Sequence, residues 1–154
     1  MRNISYPRME ILRELDRITS GLSANRFIST RPPSVEDAMQ DFLLIRLPFA
    51  IRDRGDTYQS THGQIAVFVR DISGGLENTL RLDQLQQAVT DLFPVVTDLF
   101  HARMPILQPG DSDGTGFHSL IVQFNITIFK TPGSPPLKYE PADREPPVCG
   151  DDNS

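Results

Sequence analysis

Residues 119–130 read SLIVQFNITIFK, and they alternate without a break: Leu120, Val122, Phe124, Ile126 and Ile128 fall on one side, Gln123, Asn125 and Thr127 on the other. A period of two over that length predicts a long strand with one face in a core and the other wet or against a polar partner. Residues 64–70, QIAVFVR, repeat the pattern, with Ile65, Val67 and Val69 opposed to Ala66, Phe68 and Arg70. Residues 41–48, DFLLIRLP, differ. Their nearly continuous apolar character predicts a strand covered on both faces and central in its sheet, whose Arg46 must reach an edge or a partner.

Two helical stripes flank these strands. After Pro7, which can open a helix, Ile11, Leu15, Ile18 and Leu22 recur at offsets of four, three and four. Leu82, Leu85, Val89 and Leu92 recur at three, four and three, with Asn78 or Thr79 available as cap and Pro94 as stop. Ser34 with Asp37 three residues on predicts a brief third helix over residues 35–40. Residues 95–107 mix short apolar runs with Pro105, and residues 108–116, QPGDSDGTG, read as a turn-rich loop. The order of elements predicts an α+β fold: a mainly antiparallel sheet with two principal helices packed on one face.

With 154 residues and 17.3 kDa the chain holds one such domain, expected over residues 1–130. Residues 131–154 carry six of the thirteen prolines and almost no large apolar side chains, so they are expected to form an extended or disordered tail. Five acids against two bases give that tail three of the five net negative charges. A chain of this charge is disfavoured as a nucleic-acid coat or a polybasic membrane binder. No stretch reaches the roughly 18 apolar residues of a membrane helix, and the N-terminus lacks a signal-like apolar run, so no membrane role is expected.

Chemistry is sparse. One cysteine, Cys149, excludes an internal disulfide framework and any Cys-rich zinc site. His62, His101 and His118 show no pair at ligand spacing, and Asp111-Ser112-Asp113-Gly114 resembles a calcium loop only in its first residues, with no Glu at the twelfth. Phosphate-binding and nucleophile-elbow motifs are missing as well. The expectation is a non-enzyme with no catalytic, cofactor-binding or metal residues. Arg54-Gly55-Asp56, an integrin-type tripeptide, reads as turn chemistry, and the sequon Asn125-Ile126-Thr127 falls inside a strand.

The succession of elements resembles the small tail-terminator and head-tail completion proteins of tailed bacteriophages. The resemblance rests on the leading helix to Leu22, the Asn25-Arg26-Phe27-Ile28 passage towards Pro32, DFLLIRLP, QIAVFVRD at 64–71, the Leu82 to Leu92 helix stopped by Phe93-Pro94, and SLIVQFNITIFK. It covers most of the body and consists of patterns of elements, not signature residues. It implies a structural virion subunit that forms a homo-oligomeric ring at the head-tail junction or tail. Such a ring joins or seals the DNA channel beside portal, connector or tail proteins, and DNA passes without specific binding. The Pro-rich tail departs from that compact pattern.

Residues 50–63 form a long polar connection, read as either a hairpin arm or a mobile loop. Arg52, Asp53, Arg54, Asp56 and Tyr58, with Pro135, Pro136 and Tyr139 of the tail, are the candidate subunit-interface residues, expected to order against a neighbour. A different class of function stands beside this one: a cytoplasmic adaptor whose Pro-rich tail docks a partner's aromatic groove.

Overall fold

The computed structural model describes residues 5–31, 39–110 and 116–130. The expected helix at 35–40, the Asp111–Gly114 turn, Cys149 and the whole tail lie outside or almost outside them. Among the described residues two α-helices, α1 (Arg8–Ile18) and α2 (Thr79–Thr90), accompany seven strands: β1 (Arg26–Ile28), β2 (Asp41–Arg46), β3 (Arg52–Asp53), β4 (Tyr58–Arg70), β5 (Val95–Val96), β6 (Phe100–Pro109) and β7 (Phe117–Phe129). They make one sheet in the order β1-β2-β4-β7-β6-β5, with β3 on β4. Every pairing is antiparallel except β1 with β2. The sheet is therefore the mainly antiparallel one that the alternation predicts, and both helices pack into a single core on one of its faces.

The two helices end earlier than their stripes. Ile11, Leu12 and Leu15 of α1 are buried, but the helix stops at Ile18, and Leu22 packs on the core from the turn beyond it. Buried Thr19 marks the stop: its Oγ1 donates to the carbonyls of Leu15 (2.9 Å) and Asp16 (3.0 Å). In α2 the Asn78 side chain accepts from Arg81 N, and Leu82, Leu85 and Val89 enter the core. Leu92 follows in the closing turn.

The strand over DFLLIRLP is not central. β2 lies second from the edge, flanked by the three-residue β1, while β4 and β7 occupy the middle. Its continuous burial has a different origin. Leu43 and Ile45 face the helices, whereas Phe42 and Leu44 join Ala66, Phe68 and Phe117 in a second cluster on the opposite face. There the Phe42 and Phe68 rings stack at 4.5 Å, with the Arg31 guanidinium 5.1 to 5.4 Å from their centroids. Arg46 finds its partner within the sheet, donating to Gln64 Oε1 at 2.7 Å. Asp41, at the start of β2, ties α2 and the turn after α1 to the sheet. Its carboxylate accepts from Arg81 of α2 at 2.9 Å and from Ser23 Oγ at 2.7 Å, and its carbonyl accepts from Asn25 Nδ2.

Two strands escape a simple reading of alternation. β4 begins at Tyr58, not near Gln64, because Gln59 and Thr61 take core-side positions and are buried as polar groups. Gln59 Nε2 donates to Ser5 O at 3.0 Å and Thr61 Oγ1 to Phe49 O at 3.3 Å, so neither donor is orphaned. β6 is concealed by a bulge between Arg103 and Ile106, where Met104 has φ of 59° and the face parity slips.

Gly63 is a point of close approach in the β4–β7 ladder. It pairs with Phe124, and a Cβ built there would stand 2.6 and 2.8 Å from ring carbons of Phe124. The ring lies across the strand where a side chain would be. Gly63→Ala is expected to cost about 1–3 kcal/mol through displacement of that ring; an unchanged urea midpoint would show that the ring yields freely.

Candidate functional site

The connection over residues 50–63 is a hairpin arm. Arg52 pairs with Ser60 and Asp53 with Gln59, and Arg54 N donates to Tyr58 O at 3.0 Å across the tip. Gly55, with φ of 110°, makes the turn that a side-chain-bearing residue would strain. Arg54 Nε also donates to Ser60 Oγ at 2.8 Å. The tip is anchored from the end of β7: Lys130 Nζ contacts both the Asp53 carboxylate and the Gly55 carbonyl, and Lys130 N donates to Thr57 O. The arm is thus held by contacts within its own chain.

Five of the candidate interface residues, Arg52, Asp53, Arg54, Asp56 and Tyr58, come together at this tip, all solvent-exposed. Asp53 is engaged by Lys130, a residue that the sequence reading did not single out. A partly exposed ion pair of this kind contributes only about 0–1 kcal/mol, so its effect is to aim the tip more than to stabilise the fold. Pro135, Pro136 and Tyr139 lie outside the described residues.

The histidines do not converge. The His62 ring meets Phe49 edge-on at 5.6 Å, and His118 Nδ1 lies 2.5 Å from Asp71 Oδ1 near the start of β7. His101 sits in β6, its ring perpendicular to that of Phe129 at 4.8 Å. Among the described residues no group of three His, Cys, Asp or Glu side chains could hold a metal ion. No helix among them is long and apolar enough to cross a membrane.

His101 Nε2 is enclosed without a hydrogen-bond partner among the described residues. Burial lowers the pKa of this ring below the ordinary 6.5, and the Arg103 charge adds to the effect. As pH falls below about 6.5 the unfolded chain takes the proton first, so folded stability declines there and is unaffected by this group above it. His101→Phe should flatten the fall in the urea midpoint between about pH 7.5 and 5.5. Equal falls in both proteins would mean that other groups carry the acid response.

The sequence reading also missed two apolar surfaces. Beyond its short pairing with β5, the outer edge of β6 is open among the described residues, and Met104, Ile106 and Leu107 are exposed there. Ile72 and Leu76 of the β4–α2 connection and Leu80 of the first turn of α2 are exposed likewise.

No family model matches the chain, and no curated protein matches it. A solved structure that carries no functional name is similar to it, with a TM-score of 0.54 at 17% identity, covering 82% of this chain and 96% of the other. At that identity the likeness is one of fold.

Proposed function

We propose that the chain is a structural virion subunit of the tail-terminator or head-tail connector kind, ring-forming and non-enzymatic, that joins or seals a DNA channel in the particle. The observation that carries this reading is the arm. It is a hairpin anchored by Lys130 that presents Arg52, Arg54, Asp56 and Tyr58 to solvent at the end of the longest ladder of the sheet. Charged side chains held on a rigid projection suit specific docking to a neighbouring component, since little order remains to be lost on contact. The net charge of -5 suits a channel wall past which DNA slides, because a basic wall would hold phosphates. The succession of a helix, short strands, a second helix and closing strands is in keeping with this reading.

The test is electron microscopy of particles assembled with the wild-type chain and with an Arg54→Glu, Asp56→Arg double variant. The variant should fold with an unchanged circular dichroism spectrum and leave particles without a completed junction. The cost expected at the docking contact is several kcal/mol for each charge left facing its like. Normal particles from the variant would remove the arm from the interface. Absence of the wild-type chain from every particle would end the virion reading itself.

A further inference from the structure

The two exposed apolar surfaces differ in charge. On β6, Arg103 and Ile106 lie opposite Asn125 and Gln123 on the sheet face away from the helices, with Met104 against Asn125; all three are exposed, and Arg103 has no ion pair among the described residues. At the entry to α2, Ile72, Leu76 and Leu80 stand beside Glu77 and Asp83, both exposed; Leu80 and Asp83 lie one turn apart on the helix face that points away from the core. We infer that these surfaces are the two halves of a single head-to-tail contact, the basic β6 surface of one copy seating on the acidic β4–α2 surface of the next.

Three features of the molecule support a second copy as the occupant. Each surface combines exposed apolar side chains with charge, and the charges are opposite, so one chain carries both complementary faces. Two different patches on one subunit make a heterologous contact, which closes into a ring or continues as a filament when each patch engages a different neighbour. The contact is also one of side chains, because Pro105 and Pro109 lack an N–H, interrupt the row of donors along β6 and discourage strand pairing with a neighbour. This inference rests on the self-assembling subunit proposed above and assigns its copy-to-copy surface, which is separate from the arm.

Analytical ultracentrifugation of the full chain over a concentration series tests it with two variants, Ile106→Lys and Leu80→Lys. Both positions are more than half exposed, at 53% and 71%, so each variant should keep the wild-type circular dichroism spectrum. Wild type should assemble beyond a dimer. Each variant alone should be weakened by at least about tenfold in the midpoint concentration, since either lysine blocks one half of the contact. Mixed in equal amounts, the two variants should form a heterodimer and go no further, because each keeps the half that the other has lost. Assembly of either variant at the wild-type midpoint, or a mixture without heterodimer, overturns the assignment of these surfaces while leaving the ring reading to its particle test. A wild-type chain that stays monomeric at every concentration overturns the inference outright.

Discussion

Phe124→Ala is expected to lower the free energy of unfolding by about 3–5 kcal/mol in urea titrations, the largest effect of any single change discussed for this chain. The ring is 1% exposed and sits on the helix side of β7, with the Phe93 ring 4.7 Å away and the bare backbone of Gly63 opposite it. Truncation removes the transfer energy of a whole aromatic side chain, and Gly63 offers nothing that could move in to fill the space. The same geometry predicts strong coupling between the two positions. In the Phe124→Ala background, Gly63→Ala should lose its penalty, because its Cβ enters the volume the ring has left. Additive effects of the two substitutions would contradict the ring-over-glycine arrangement.

The second large effect is expected at Leu85. It is 2% exposed in the middle of α2 and shares one core with Val89, Val67 and the β7 row. Leu85→Ala should cost about 2–5 kcal/mol, from lost transfer energy and from the cavity left under a helix that the sheet holds in place. A loss below about 0.5 kcal/mol would put that helix face in solvent and detach α2 from the sheet.

Much of this architecture is legible in the sequence where one rule acts alone. The alternation of residues 119–130 yields the apolar face of β7 as observed, and the stripe Leu82, Leu85, Val89 yields the buried face of α2. Legibility fails where tertiary contacts override local pattern. Gln59 and Thr61 are polar residues in core positions because the N-terminal segment and Phe49 supply their acceptors, which nothing nearby in sequence announces. The Met104 bulge shifts parity and hides β6, and burial of β2 on both faces reflects an aromatic cluster, not a central place. At the candidate site the charged arm is visible as composition. Its anchoring by Lys130 is a contact between distant segments, and the exposed apolar surfaces emerge only when exposure is known.

The β4–β7 ladder has a further consequence, for the time course of folding. Its thirteen pairs join Tyr58 to Phe129 and Arg70 to Phe117, so the two central strands meet only after the chain between them, α2 and β6 included, has been drawn into a closed loop. The entropy of that closure must be met before any central pair forms. The helices, built from local contacts, can flicker into place early, but the sheet that stabilises them is assembled across long sequence separations. Refolding is therefore expected on a scale of roughly milliseconds to seconds, slower than that of a helical bundle of this size. Until β7 arrives, β4 presents a long unpaired edge to solvent, and over that interval the chain is most open to association with the wrong partner.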